Sequence, residues 1–350
     1  MKVGFVIYGS LDTLSGGYLY DRKLVEYLRS QGDTVEIISL PWRNYFSHLT
    51  DNFTFKLPKG FDILIQDELN HPSLISANRK EHPYPIVSLV HHLRCSELRP
   101  KWQNNFYRII EKKYLQSVDG FIFNSRTTKG VVNSLIGNSK PDVIAYPPTD
   151  RFGEAISENE IIERSKAKEL RILFLGNVME RKGLHVLLSA VSSQRSAVRV
   201  DIVGSLNVEP NYAKKMQDFV TVNGLSSAVK FHDSLNNEPL KQILKQSHIL
   251  VVPSSYEGFG IVYLEGMGFG LPAIGTTAGA ASEVIEHGKT GYLIEPNDSQ
   301  TLASIISKLA KDRDLLTQLS LNAKNRYLAQ PKWEETASEI RKFLLQMINT

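Results

Sequence analysis

Residues 171–183 read RILFLGNVMERKG, and this stretch decides the fold class. Its first part, Arg171–Leu175, is an apolar run typical of a buried strand, and a polar loop leads from Gly176 to an amphipathic segment, Leu184–Ser193. A strand, a loop and a helix in this order form the repeating unit of parallel α/β sheets. Because ligands of such sheets bind beyond the carboxyl ends of the strands, the loop after Leu175 is a candidate binding element.

The same alternation continues on both sides of this stretch and predicts two α/β domains. Six short strand candidates precede the Pro147-Pro148 pair, six more follow Glu169, and amphipathic segments lie among them. We therefore predict two Rossmann-like, doubly wound domains facing across a cleft, over residues 1–150 and 165–330. The polar residues 151–169 are interpreted as the crossing between them, and an amphipathic tail helix over 333–349 is expected to join the first domain.

The composition limits the classes of function. The chain has 350 residues, of which 42% are hydrophobic and 22% charged, with a net charge of +4, so neither disorder nor nucleic-acid binding is indicated. The single cysteine, Cys95, excludes an internal disulfide and a cysteine-based zinc site. No export signal and no apolar stretch of about 18 residues is recognised. We therefore expect a cytoplasmic protein, and a location at the inner face of the membrane is compatible with this expectation.

A second stretch, residues 253–265, reads PSSYEGFGIVYLE and carries two carboxylates. Glu257 precedes a glycine-rich loop, and Glu265 lies in an otherwise apolar helix, where an unpaired carboxylate is costly. A helix rises about 1.5 Å per residue, so the two acids are on the order of 10 Å apart. This separation suits two carboxylates that hold hydroxyl groups at opposite ends of a sugar nucleotide. The backbone N–H groups between them are candidate phosphate ligands: Gly258, Phe259, Gly260, Ile261 and Val262.

Two further loops carry residues suited to a phosphate. Arg181 and Lys182 are adjacent cations just before a helix, a pattern that suits a diphosphate, although a solvated charge pair is the alternative. Gly16 and Gly17 follow Ser15 at the start of a helix, where glycine allows a ligand to approach the backbone. The alternative for this pair is a tight turn.

Two histidines end the strand candidate Ile86–Val90. A neutral imidazole there could accept from, or donate to, a sugar hydroxyl. The alternative for each histidine is a local loop contact. The preference between them, function for His91 and a local contact for His92, rests on the family resemblance given below.

Taken together, these residues resemble the retaining glycosyltransferases of the GT-B fold, specifically glycosyltransferase family 4. Glu257 and Glu265 match the family's E-x7-E signature, Lys182 matches its phosphate-binding lysine, and the Gly16-Gly17 pair matches its N-terminal glycine loop. The resemblance also covers the Gly-Lys-Thr-Gly-Tyr-Leu stretch from Gly288 and the Lys332-Trp333 start of the last helix. One departure concerns Gly176, because the family often has an arginine directly after this glycine and this chain has Asn177. Arg181 is a candidate replacement for that charge.

The resemblance implies transfer of a hexose-type sugar from a nucleotide-sugar donor to a glycan, lipid or small-molecule acceptor, with retention at the anomeric carbon. It places the donor mainly on the second domain, with the donor sugar on Glu257 and the ribose on Glu265, and it assigns His91 to the donor-sugar region. The alternatives are a nucleotide-sugar epimerase of similar fold and a non-catalytic nucleotide-sugar-binding protein.

No metal or cofactor is expected from the sequence. Asp312-Arg313-Asp314 matches the DxD metal motif of a different glycosyltransferase fold, but we interpret it as a solvated turn. Charge on the leaving diphosphate is expected to be met by Arg181, Lys182 and helix N-termini.

One helix candidate leaves a membrane contact open. Lys101–Leu115 combines aromatic and basic residues, which suits a membrane surface, but we favour a helix that faces the core with a basic outer side. The long loop over residues 42–60 is a candidate acceptor contact.

Overall fold

The computed structural model describes residues 1–13, 15–137, 140–148, 150–192 and 198–349. The chain forms two compact units, Met1–Pro148 together with Pro331–Thr350, and Thr149–Gln330. We call them the first and the second unit.

The first unit contains a six-stranded parallel sheet in the order β2-β1-β3-β4-β5-β6. Its strands are β1 (Lys2–Tyr8), β2 (Thr34–Leu40), β3 (Ile63–Asp67), β4 (Ile86–Val90), β5 (Gly120–Phe123) and β6 (Asp142–Ile144). The helices are α1 (Gly16–Ser30), α2 (Tyr45–Thr50), α3 (His71–Asn78), α4 (Lys101–Leu115), α5 (Arg126–Ile136) and the last helix of the chain, α13 (Trp333–Ile348). Strands β3 and β4 are buried along their whole length, because helices cover both faces of the sheet.

The second unit repeats this architecture in the order β12-β11-β10-β7-β8-β9. Its strands are β7 (Leu170–Leu175), β8 (Val198–Val203), β9 (Val229–Phe231), β10 (Ile249–Val251), β11 (Ala273–Thr276) and β12 (Gly291–Ile294). The helices are α6 (Glu158–Ser165), α7 (Leu184–Ser192), α8 (Pro210–Val222), α9 (Asn237–Gln246), α10 (Ile261–Gly268), α11 (Ser299–Lys311) and α12 (Arg313–Leu328). The α/β class with two parallel sheets is therefore confirmed.

Strand order locates the binding edge of each sheet. The chain reverses its direction of sheet growth between β1 and β3 in the first unit and between β7 and β10 in the second. Ligands of open α/β sheets bind at such switch points, outside the carboxyl ends of the strands. The loops after these four strands carry most of the residues that the sequence singles out.

Several element predictions need correction. The crossing over 151–169 contains α6, which starts with a capping box between Ser157 and Glu160. Helix α3 was not predicted from the sequence, because it is buried nearly all round and lacks amphipathic periodicity. The apolar-to-acidic segment after β11, whose sequence predicts a short helix over 281–286, forms a 3-10 turn over Ala280–Glu283. The helix predicted to end at Ser193 is described as far as Ser192, and residue 193 lies outside the described residues.

Helix α4 is only partly a core-facing helix. Glu111, Tyr114 and Leu115 are buried near its end, but Trp102 and Ile109 are 70% and 56% exposed. Tyr107 and Ile110 pack against the apolar core of the first unit, and the exposed charged residues of α4 are basic, as expected for a core-facing helix with a basic outer side. The exposure of the two apolar side chains was not expected. None of the described helices is long and apolar enough to cross a membrane.

The tail helix α13 lies in the first unit. Its Ile340 and Leu344 belong to the same apolar cluster as Leu24 and Leu28 of α1. Arg341 Nε donates to Asp33 Oδ2 at 2.7 Å. Thus both an apolar face and an ion pair attach this helix.

Candidate functional site

The switch point of the second unit brings Lys182 and Glu257 together. The loop after β7 carries Lys182, the loop after β10 carries Glu257, and the Lys182 Nζ to Glu257 Oε2 distance is 2.7 Å. Ser254 Oγ donates to the same carboxylate oxygen at 3.1 Å. No hydrogen bond from a described residue reaches Glu257 Oε1, so one oxygen of this carboxylate is left for a ligand.

The charge state of Glu257 follows from its neighbours. Burial raises the pKa of Glu257, but the Lys182 and Arg181 charges and the hydrogen bonds from Lys182 and Ser254 outweigh it and hold the pKa below its usual value. Glu257 is therefore a carboxylate at neutral pH and can only accept hydrogen bonds.

Two glycines allow these loops to approach each other. Gly183 has a φ of +73°, and a Cβ at this residue would lie 2.1 Å from the Pro253 carbonyl oxygen. Gly260, at the start of α10, has a φ of +89°, and its Cβ would lie 2.4 Å from the ring of Tyr263. No side chain caps α10 at this residue, so the first N–H groups of the helix, at Ile261 and Val262, are positioned to bind an anion.

Glu265 lies within α10 and is 3% exposed. Arg151 Nη1 donates to its Oε1 at 2.8 Å, whereas Oε2 is buried with no hydrogen-bond partner among the described residues. Burial raises the pKa of Glu265 and Arg151 opposes this shift. An unpartnered buried oxygen is costly, which indicates that a ligand supplies its hydrogen bond.

Arg181 and Asn177 have structural partners. Arg181 Nη1 donates to the Tyr256 carbonyl at 2.7 Å and so supports the backbone next to Glu257. Asn177 Oδ1 accepts from the Ser205 N–H at 3.3 Å, which joins the loops after β7 and β8. Gly176 follows β7 directly, and the aliphatic chain of Lys182 lies over it. Gly258 is half-buried and Phe259 is buried between Glu257 and the helix start.

In the first unit, the glycine loop and His91 lie side by side. Ser15 caps α1, Gly16 is exposed, and a Cβ at Gly17 would lie 3.3 Å from His91 Cδ2. The small residue at position 17 thus leaves room for the imidazole. His92 takes a local partner, Glu97 Oε1, at 3.1 Å.

His91 belongs to a buried cluster that sequence analysis missed. Its Nε2 lies 3.0 Å from Asp21 Oδ1, and the ligand atoms of His91, Asp21 and Asp67 all lie within 4.8 Å of one another. Burial raises the pKa of Asp21 to about 8, while burial and the neighbouring Asp21 raise that of Asp67 to about 7. Burial also lowers the pKa of His91. At neutral pH the cluster therefore holds a neutral imidazole beside a largely protonated Asp21 and a partly protonated Asp67.

A second buried cluster consists of Glu68, His71 and Glu111. Sequence analysis identified neither of the two clusters. The members of each cluster come from different loops and helices, so they cannot be recognised from their spacing in the sequence. By contrast, Asp312 behaves as the turn residue that we expected, because its side chain accepts from the Leu315 N–H and caps α12.

Arg151 was also missed, since it lies in the segment interpreted as a domain crossing. The only available signal was the buried Glu265, which requires a cation somewhere in the chain.

Comparison with known proteins identifies the relatives of this chain. The family described as glycosyl transferases group 1 matches residues 156–345, which are 190 of the 350 residues. A D-inositol 3-phosphate glycosyltransferase of Corynebacterium urealyticum is 29% identical over 246 residues, 67% of this chain and 58% of the relative. The chain spans about half the length of the curated relatives it matches.

Solved structures resemble the whole chain. Sucrose-phosphate synthase from Thermosynechococcus elongatus superposes with a TM-score of 0.84 at 18% identity and 99% coverage of both chains. The Anabaena protein HepE, solved in complex with UDP and glucose, gives a TM-score of 0.75 at 19% identity and 99% coverage of both chains. At such identities the likeness shows the fold alone, and the GT-B class expected from the sequence is confirmed.

Proposed function

The chain belongs to the group 1 glycosyl transferases, and on this premise we propose that it transfers a hexose from a nucleotide-sugar donor to an acceptor with retention at the anomeric carbon. The donor is assigned to the second unit and the acceptor mainly to the first.

The observation that carries the donor assignment is a shared arrangement of the two glutamates. Each has one oxygen held by a cation of the chain, Lys182 or Arg151. The other oxygen of Glu265 is buried with no hydrogen-bond partner among the described residues. A carboxylate oxygen in a fixed position accepts a hydrogen bond from a hydroxyl group. We assign a donor-sugar hydroxyl to Glu257 and a ribose hydroxyl to Glu265.

The diphosphate is assigned to the start of α10 and to Lys182. The uncapped N–H groups of Ile261 and Val262 and the positive end of the helix favour an anion. Lys182 is within reach because it already contacts Glu257, and Arg181 holds the intervening backbone. These groups stabilise negative charge on the leaving diphosphate without a metal, which is why we propose metal-independent turnover.

Retention follows from a front-face substitution. The acceptor hydroxyl attacks the anomeric carbon on the face that the diphosphate leaves, and the leaving phosphate oxygen takes the acceptor proton. The protein positions the two substrates and stabilises charge. We assign His91 to a donor-sugar hydroxyl, because Asp21 orients its ring and the glycine loop beside it is exposed at Gly16.

Donor turnover tests this proposal. UDP-glucose is the first donor to assay, since HepE was solved with UDP and glucose. Release of UDP, faster with an acceptor, and an α-configured product by NMR are expected, and both should persist in EDTA. Loss of turnover in EDTA with rescue by magnesium or manganese would contradict metal independence. Conversion of the donor alone into an epimer would favour the epimerase, and tight donor binding without turnover would favour a binding protein.

We also propose a peripheral contact with an anionic membrane surface. Trp102, Phe106 and Ile109 share one face of α4 at helical spacing, and the ring of Phe46 lies 5.8 Å from that of Phe106. The charged side chains that α4 exposes are basic: Lys101, Arg108, Lys112 and Lys113. Aromatic residues flanked by lysine and arginine match the chemistry of an anionic lipid interface.

A further inference from the structure

A cavity of about 120 Å³ lies in the first unit, beside the His91 cluster. It sits beyond the carboxyl ends of β1 to β4, where α/β sheets bind ligands. Trp42, Tyr45, Glu68, His71 and Arg94 are among its lining residues. Two of these residues, Arg94 and Glu68, each have a buried polar atom without a hydrogen-bond partner among the described residues. We regard both as candidate contacts for a ligand in the cavity.

The first is Arg94. Its guanidinium carbon lies 5.1 Å from the ring centre of Tyr45 and 5.0 Å from that of Tyr107. These two rings meet edge to face at 76°, and the cation contacts both of them. Its Nε is buried without a hydrogen-bond partner, and no carboxylate of the described residues lies within ion-pair distance of it. A cation that is partly buried and unpaired favours binding of an anion, and the planar fork suits phosphate and carboxylate.

The neighbouring cations are already paired. Arg43 pairs with Asp51, and Arg99 contacts Glu97 at 2.6 Å. Arg94 is therefore the cation in this wall that an incoming anion would neutralise.

The second is Glu68, which is 1% exposed and has an unpartnered Oε2. Burial raises the pKa of Glu68 well above its usual value, so this carboxyl group keeps its proton at neutral pH. It can then donate to, as well as accept from, a hydroxyl group.

The histidine beside it is not available to a ligand. His71 Nδ1 bonds the Glu68 carbonyl at 2.9 Å and Nε2 bonds the Tyr45 hydroxyl at 2.8 Å. Burial lowers the pKa of His71 to about 3. The neutral ring therefore donates from Nδ1 and accepts at Nε2, which fixes Tyr45 under Arg94.

We propose that this cavity binds the acceptor and that the acceptor is a hydroxyl compound with a phosphate or carboxylate group. Arg94 binds the anionic group, Glu68 binds a hydroxyl group, and the half-exposed ring of Trp42 offers a face for the apolar side of a sugar ring. The acceptor role rests on the proposed glycosyl transfer, whereas the binding specificity does not.

Calorimetric titration of the full chain with glucose 6-phosphate, glucuronate and glucose tests the specificity. At least one anionic probe is expected to bind tenfold or more tightly than glucose, and the comparison of the two distinguishes phosphate from carboxylate. Arg94→Gln should remove this preference, while Arg79→Gln, which removes the same charge from an exposed site outside the cavity, should retain it. If Arg94→Gln does not fold, Arg94→Lys keeps the charge without the fork and should weaken binding severalfold.

Equal affinity for glucose and both anions, no binding of either anion, or unchanged anion binding in the folded Arg94 variant would overturn the proposal. UDP binding and UDP-glucose hydrolysis are measured on the same samples, and the control Arg79→Gln should leave both unchanged. Anion binding without any donor turnover would leave this cavity specificity standing and remove the glycosyl transfer. Donor turnover without anion binding would contradict the cavity specificity and leave the proposed glycosyl transfer standing.

Discussion

At the scale of single residues, the two glutamates of α10 and its preceding loop differ in their expected kinetic roles. Contacts of Glu257 to the donor sugar should tighten as charge develops on the ring, so Glu257→Gln is expected to lower kcat strongly and change UDP affinity little. Glu265 holds the ribose in ground and transition states alike, so Glu265→Gln should mainly raise KM. Transfer kinetics and UDP titration of both variants measure this.

Glu163→Gln is the matched control, because Glu163 is an exposed glutamate of α6. Loss of UDP affinity in Glu257→Gln but not in Glu265→Gln would reverse the two assignments. Wild-type kinetics in both would remove the donor site from this loop.

Lys182 and Arg181 are adjacent but should behave differently. A charge-assisted hydrogen bond contributes about 1.5–3 kcal/mol, so Lys182→Ala should lower kcat/KM roughly tenfold or more. The amide of Arg181→Gln can still donate to the Tyr256 carbonyl, whereas Arg181→Ala loses this hydrogen bond and the support of the backbone beside Glu257. Arg181→Gln should therefore lower kcat/KM less than Arg181→Ala. Equal kinetics for Arg181→Gln and Arg181→Ala would assign the whole effect to charge.

At the scale of elements, α4 shows how packing changes the meaning of a pattern. Its sequence fits both a core helix and a membrane-surface helix, and the folded helix has a side of each kind. Tyr107 and Ile110 pack against the core, whereas Trp102 and Ile109 are exposed.

We expect the full chain to bind phosphatidylglycerol vesicles more tightly than phosphatidylcholine vesicles, with binding that weakens as salt is raised. Trp102→Ser combined with Ile109→Ser should reduce the vesicle-bound fraction in a sedimentation assay. Val222→Ser, on an exposed valine of the second unit that is 82% exposed, should leave it unchanged. Equal binding to both lipids, or no effect of the double variant, would contradict the membrane contact.

At the scale of the whole molecule, the buried Asp21–Asp67 pair couples stability to pH. Both pKa values lie above about 3.9, the usual value in an unfolded chain, so the folded state binds more protons at intermediate pH. The stability that these groups contribute is complete below about pH 4 and is lost as the pH rises through about 7 and 8. Each proton changes the free energy of unfolding by at most about 1.4 kcal/mol per pH unit.

Asp21→Asn should therefore be most favourable relative to the wild type at high pH. We expect the Tm difference, variant minus wild type, to increase between pH 5 and pH 8.5 in thermal unfolding. Asp218→Asn, at an exposed residue of α8, should give no such trend. A Tm difference that is independent of pH would show that Asp21 ionises normally in the folded chain.

The sequence by itself determined the α/β class, the six strands of each sheet and the loops that carry Lys182, Glu257 and Glu265. These follow from apolar runs, glycines and a short-range order of strand, loop and helix, which are properties of neighbouring residues. Only the tertiary structure decided which distant groups share a site. Arg151 reaches Glu265 across 114 positions of the chain, and Asp21 reaches His91 across 70. A buried charge requires a partner, but burial arises from the packing of the whole chain, so sequence spacing could not identify that partner.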